Sequence, residues 1–218
     1  MIFVNFKTYR QGTGTRAVEL AKTCQEVSRE TSLEIIPLVQ AVDIFRLNQQ
    51  SFLVWAQSAD DIEFGPNTGQ VLPEALLATG AKGTMLNHSE NKIPTQVIIS
   101  IVNRCRRLGL KTLVCAESPE EAKEIVDSGP DFLAYEPPEF IGSRTASVST
   151  AKPEVIKEFV NKIEKIPVLV GAGIHSQKDV RIALSLGAKG ILVSSDVVLA
   201  EDPKKELLEL AEAFRENN

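Results

Sequence analysis

Leu110-Lys111-Thr112-Leu113-Val114-Cys115-Ala116 is followed by Ser118-Pro119-Glu120-Glu121 and then by Phe132-Leu133-Ala134-Tyr135-Glu136. The first and last runs are short and rich in apolar residues, as strands are. Between them, Ser118 offers an N-cap hydroxyl, Pro119 occupies the first helical position and Glu121 brings a carboxylate at the third, the pattern of a capping box. A strand, a capped helix and a second strand in so short a stretch make a βα unit feeding a parallel sheet.

The same alternation runs outward in both directions. Candidate strands are Ile2 to Phe6, Leu33 to Leu38, Phe52 to Gln57, Gly83 to Asn87, Leu110 to Ala116, Phe132 to Glu136, Pro167 to Ala172 and Gly190 to Ser194. Among the helices, Ala17, Leu20, Cys24 and Val27 form one apolar stripe, and Gly109 stops the fourth helix. Ser176 to Asp179 repeats the cap pattern, and the last helix begins at Asp202-Pro203. Eight βα units in 218 residues leave about 27 residues each, close to the lower end for a closed (β/α)8 barrel of roughly 200 residues or more. The fold class is therefore α/β, a (β/α)8 barrel, with residues 1–218 as a single domain. Gly80-Ala81-Lys82-Gly83 and Gly187-Ala188-Lys189-Gly190 echo one another half a barrel apart. Either an internal duplication or shared turn chemistry accounts for them.

With 43% hydrophobic and 24% charged residues, the chain has the composition of a globular domain with a substantial core. A net charge of −5 gives nucleic acid or an anionic membrane surface no general attraction, so any phosphate site must be local. Cys24, Cys105 and Cys115 are too few for a disulfide framework and match no zinc spacing, so they read as reduced, buried thiols. The N-terminus enters a strand directly, with no signal segment and no apolar run of spanning length; a cytoplasmic protein is expected.

In such a barrel the chemistry sits at the carboxyl ends of the strands. Strand one ends in Asn5-Phe6-Lys7, strand four in Asn87-His88-Ser89-Glu90 and strand six in Tyr135-Glu136-Pro137-Pro138. Glu136 projects a carboxylate over the barrel mouth. Lys7 needs an anion or water at its position, and Asn5 shares its side by period-two alternation. His88 is set beside backbone N–H groups that disfavour the imidazolium and leave a neutral donor. His175, past a glycine-rich strand end, reads as an exposed helix-entry residue. Three segments are candidates to cradle phosphate: Ile141-Gly142-Ser143, Gly171-Ala172-Gly173-Ile174 and Ser194-Ser195.

Asn5-Phe6-Lys7, Asn87-His88-Ser89-Glu90, Tyr135-Glu136-Pro137, Ile141-Gly142 and Gly171-Ala172-Gly173 together resemble the triosephosphate isomerases, from the first strand to the last. The short chain and the segment Val148 to Glu154 are similar to the compact forms known from archaea. The resemblance implies a TIM barrel that interconverts dihydroxyacetone phosphate and D-glyceraldehyde 3-phosphate, in glycolysis and gluconeogenesis. In that family a glutamate base works with a neutral histidine, roles that fall here on Glu136 and His88. Lys7 and Asn5 are implied to face the substrate oxygens. Glu90 orients Lys7 or assists proton movement, or is simply a helix N-terminal carboxylate, and Ser89 is a supporting donor or a cap. No metal and no cofactor is implied.

Pro137 to Ser149 corresponds to the family's mobile lid. Gly142-Ser143-Arg144 there departs from the family's usual Gly-Thr-Gly by exchanging a flexible residue for a cation. Asp196 stands where compact relatives tend to carry glycine, and either caps a helix or weakens phosphate binding. Asn67-Thr68-Gly69 matches the loop that reaches into a neighbouring subunit, implying a homodimer or homotetramer. Two rivals stand beside this reading: an aldolase using Lys7 as a Schiff-base lysine, and a non-catalytic sugar-phosphate sensor.

Overall fold

In the computed structural model, which describes residues 1–140, 147–163 and 165–215, eight parallel strands close into a barrel in chain order. They are β1 (Ile2–Asn5), β2 (Ile35–Val39), β3 (Trp55–Ala56), β4 (Gly83–Leu86), β5 (Lys111–Ala116), β6 (Phe132–Tyr135), β7 (Val168–Val170) and β8 (Gly190–Val193). β1 closes the ring, pairing Ile2 with Ile35 on one side and with Ile191 on the other. All eight expected strands form, yet most stop short of the expected carboxyl end. The backbone there turns out of the ladder: Lys7 and Asn87 have φ of 46° and 59°, left-handed values that no strand residue adopts. The residues expected to carry chemistry thus stand just past the sheet.

Around the barrel, among the described residues, run α1 (Thr15–Thr31), α2 (Ala41–Asn48), α3 (Pro73–Thr79), α4 (Thr95–Leu108), α5 (Pro119–Val126), α6 (Val148–Ala151), α7 (Pro153–Lys162), α8 (Gln177–Ser185), α9 (Ser195–Val198) and α10 (Pro203–Arg215). The stripe Ala17, Leu20, Cys24 and Val27 is buried on α1. Ser118 caps α5, its Oγ accepting from the Glu121 amide at 3.1 Å. The reciprocal half of the box is shifted by one residue, because Glu121 Oε2 accepts from the Glu117 amide at 2.7 Å rather than from the cap's own N–H. α8 repeats this shift: Ser176 Oγ accepts from the Asp179 amide, and Asp179 Oδ2 accepts from the His175 amide at 3.2 Å.

Two apolar layers hold the fold. Inside the barrel, Phe3, Trp55, Met85, Leu113, Phe132, Leu169 and Leu192 pack together, with Phe3 edge-on to Trp55 at a centroid distance of 5.0 Å. A larger layer fills the space between strands and helices. All three cysteines are buried and free, and burial pushes Cys24 and Cys105 up to about 12, so neither is a reactive thiolate.

Turn geometry suffices to explain the echo between residues 80–83 and 187–190. Gly80 and Gly187 have φ of 101° and 100°, the left-handed helix stop that glycine allows. Behind them the same bonds recur: the Ala81 amide to Leu76 O at 3.0 Å and the Ala188 amide to Ala183 O at 3.1 Å. Gly83 and Gly190 then enter strands where a Cβ would overlap the Trp55 ring and the Met1 carbonyl.

Candidate active site

The turn after β1 is closed by a backbone-to-side-chain bond. Lys7 N–H donates to Asn5 Oδ1 at 3.0 Å, closing a short loop that presents both side chains to the barrel mouth. Asn5 and Lys7 do share the pocket, but this turn brings them there, and the expected strand alternation does not extend to Lys7. Gln57, one residue past β3, pins the arrangement: its Nε2 reaches Lys7 O at 3.0 Å, Leu38 O at 3.2 Å and Asn5 Oδ1 at 3.3 Å. Lys7 Nζ donates to Glu90 Oε1 at 2.7 Å. Glu90 lies in a turn ahead of α4, so it is no helix N-terminal carboxylate, and its contact is with the lysine.

His88 is buried, and its Nδ1 accepts from the Glu90 amide at 3.1 Å. That bond requires a lone pair on Nδ1, so the neutral ring carries its proton on Nε2. Burial, with the charge of Lys7 adding to it and that of Glu90 opposing, lowers the His88 pKa to about 4. The neighbouring Asn87 turns out to be structural, donating to Cys115 O and Glu121 Oε1, both at 2.8 Å, while its Oδ1 accepts from the Ile93 amide. Ser89 Oγ is buried without a hydrogen-bond partner among the described residues.

Glu136 follows β6 and is almost wholly buried. Burial pushes its carboxyl up to about 7, against the pull of the Cys115 thiol and the Lys7 charge. Its Oε2 has no hydrogen-bond partner among the described residues. Oε1 faces His88 Nε2 at 3.6 Å, too far for a hydrogen bond. Gly171 supplies the room on the other side, since a Cβ there would lie 2.8 Å from Glu136 Cγ.

Lys7, His88 and Glu136 line an open pocket of about 580 Å3, whose wall past β7 and β8 is made by Gly171, Gly173, His175, Ser194, Ser195 and Asp196. Ser194 Oγ ties this wall to the first strand by donating to Asn5 O at 2.8 Å. Ala172 is the exception in its segment, being packed in the outer core. Ile141, Gly142, Ser143 and Arg144 lie outside the described residues. Contrary to expectation, His175 is no exposed helix-entry residue: it lines the pocket, and its Nδ1 is 3.0 Å from Asp196 Oδ1.

A buried carboxyl poised to gain or lose a proton near neutrality, a neutral N–H donor and a lysine converge on one space. That set suits moving a proton between neighbouring carbons of a carbonyl compound. Among the described residues no group of three or more His, Cys, Asp or Glu is placed to hold a metal ion, and no helix is long and apolar enough to cross a membrane.

Comparison with known proteins agrees with this geometry. A family model described as triosephosphate isomerase matches residues 1–214. A triosephosphate isomerase of Methanopyrus kandleri is 42% identical over 216 residues, covering 96% of this chain and 95% of that protein. One of Methanobacterium bryantii is 40% identical over 215 residues, with 96% and 95% covered. One of Saccharolobus solfataricus is 41% identical over 209 residues, with 94% and 92% covered. The crystal structure of the Bartonella henselae triosephosphate isomerase superposes with a TM-score of 0.73 at 22% identity, covering 98% of each chain, which speaks for the fold alone.

Proposed function

The chain belongs to the triosephosphate isomerase family, and from that premise we propose that Glu136, His88 and Lys7 carry its reaction. The enzyme interconverts dihydroxyacetone phosphate and D-glyceraldehyde 3-phosphate, a step of glycolysis and gluconeogenesis. In our reading, Glu136 takes a proton from the carbon next to the substrate carbonyl. The C–H electron pair becomes a carbon–carbon double bond, and the carbonyl π pair moves onto oxygen. His88 Nε2–H and the Lys7 ammonium stabilise the oxygen charge of this enediolate. The hydroxyl proton of the enediolate passes to the neighbouring oxygen, Glu136 returns a proton to the adjacent carbon, and the carbonyl re-forms one position along.

The observation that carries this assignment is the 3.6 Å approach of His88 Nε2 to Glu136 Oε1, which places donor and base over the same small group. Gly171, Gly173, Ser194 and Ser195 are assigned to the phosphate, because they line the same pocket past β7 and β8. The test is hydrogen exchange: incubated in D2O, the wild type should incorporate deuterium into recovered dihydroxyacetone phosphate. Glu136→Gln should lose exchange and turnover together while still binding a phosphate-bearing inhibitor within about tenfold. Exchange persisting in that variant would remove Glu136 from the role.

We also propose that residues 1–218 act as one catalytic domain, working in the cytoplasm and self-associating through Asn67-Thr68-Gly69. That loop is exposed, and apolar side chains stand uncovered on this and the preceding βα connection: Phe64 is 76%, Val42 82% and Phe45 57% exposed. Large exposed apolar side chains on α2 and this loop support a partner surface here. Light scattering should find at least a dimer, and Phe64→Asp should lower the mass; a wild-type monomer would refute the proposal.

A further inference from the structure

We propose that His175 is a positioning residue for the phosphate end of the substrate, holding the Asp196 carboxylate away from the place of the anion. The inference rests on the assignment of phosphate to the wall formed by Gly171, Gly173, Ser194 and Ser195. Asp196 lines the same pocket, and a carboxylate free to swing there would confront a dianion with a like charge. His175 Nδ1 lies 3.0 Å from Asp196 Oδ1. An ionised carboxylate only accepts, so Nδ1–H donates and the ring keeps Asp196 in a fixed orientation.

The mount of the ring supports this role. The His175 amide donates to Asp179 Oδ2 at 3.2 Å, and Ser176 Oγ donates to the same oxygen at 2.7 Å, so the backbone beneath the imidazole is held by the cap of α8. His175 Nε2 is buried and has no hydrogen-bond partner among the described residues, which leaves Asp196 as the polar tether of the ring. Acidic groups lie near the pair, with Lys205 of α10 as a countercharge to Glu206. Asp179 lies below the pair, and Glu206 of α10 feels Asp196: burial, then Glu209, then Asp196 raise the Glu206 carboxyl above its ordinary value. Among the described residues lining the pocket, Lys7 is the one lysine or arginine, and its ammonium is engaged by Glu90. A loose Asp196 would therefore act on the phosphate with little to offset it.

The test is steady-state kinetics with inorganic phosphate as a competitive inhibitor, on His175→Ala, His175→Gln, Asp196→Asn and the His175→Ala/Asp196→Asn double variant. Releasing the carboxylate should raise both KM and the phosphate inhibition constant about fivefold or more in His175→Ala, with kcat changing less than either. His175→Gln, whose amide can still donate to Asp196, should recover most of the loss and guards against a folding defect in the alanine variant. In the double variant the loss should vanish, because no charge remains to be released. A loss of equal size with and without Asp196, or none in His175→Ala, overturns the proposal. Ser195→Asp separates the two levels of the argument by placing a new carboxylate on the phosphate wall. If it leaves phosphate inhibition unchanged, the wall is not the phosphate site and both readings fall. If it weakens phosphate while His175→Ala does not, the role of His175 alone is refuted.

Discussion

His88 Nε2 stands 3.6 Å from Glu136 Oε1 while His88 Nδ1 accepts the Glu90 amide, so the ring's single N–H points toward the carboxylate proposed as the base. The two groups are displaced in opposite directions, Glu136 up to about 7 and His88 down to about 4, and burial is the leading cause in both. The base must be ionised to work, whereas the histidine is already neutral well below the working range. We therefore expect kcat/KM to rise about tenfold per pH unit below pH 7 and to level off above it. The substrate phosphate titrates near pH 6 and is measured separately and divided out. A corrected acid limb near the ordinary carboxylate value of 4.5 would contradict the buried base.

The same displacement links the base to stability. A carboxyl raised from 4.5 to about 7 on folding leaves stability whole below 4.5 and removes it as pH rises through about 7, by roughly 3 kcal/mol once fully charged. Glu136→Gln keeps the shape without the charge. It should be more stable than the wild type in urea at pH 8, with the advantage fading at pH 4.5. An advantage independent of pH would mean that the buried charge is not its source.

Gly171 is tied to Glu136 by contact, because an added Cβ would lie 2.8 Å from Glu136 Cγ and 3.0 Å from Oε1. Its φ lies outside the left-handed region, so Gly171→Ala keeps the backbone and displaces the base. A shift of a few tenths of an ångström up to 1 Å at a reacting group costs turnover on the order of tenfold to a hundredfold. kcat should fall by that much with the circular dichroism spectrum unchanged. Wild-type kcat would show that the carboxylate has another place to stand.

Why some of this was legible in the sequence and some was not follows from where each signal is stored. The strands and the caps at Ser118 and Ser176 are local patterns, and each forms, although most strands stop short of the expected carboxyl end. Asn5, Lys7, His88 and Glu136 follow a positional rule, polar groups at strand carboxyl ends, combined with the family resemblance. Gln57 obeys the same rule but is not ionisable, so a search for titrating groups passes it over. The pairing of His175 with Asp196 joins loops 21 residues apart and has no local signature, since each residue alone resembles a surface polar group. The capping boxes show a finer limit, because the residue types fix the cap but not which amide the returning carboxylate takes.

Gln57 carries the last prediction. Its amide bonds the Lys7 carbonyl, the Leu38 carbonyl and the Asn5 side chain, and Lys7 sits at φ 46°, a conformation that costs a non-glycine residue free energy unless its surroundings impose it. Gln57→Leu removes the Gln57 donor from the Lys7 carbonyl, while Leu38 O keeps the Phe6 amide and Asn5 Oδ1 keeps the Lys7 amide, and stability should fall by about 1–3 kcal/mol. The effect on function is separable from that loss. In the proposed assignment Lys7 meets both the bound substrate and the developing enediolate charge, so freeing its backbone should raise KM and lower kcat together. Gln57→Glu is the sharper probe, since an ionised carboxylate keeps the length of the side chain but can donate to neither carbonyl. It should resemble Gln57→Leu in kcat and KM. If the glutamate variant keeps wild-type kinetics while the leucine variant is merely unstable, Gln57 fills space and does not position Lys7.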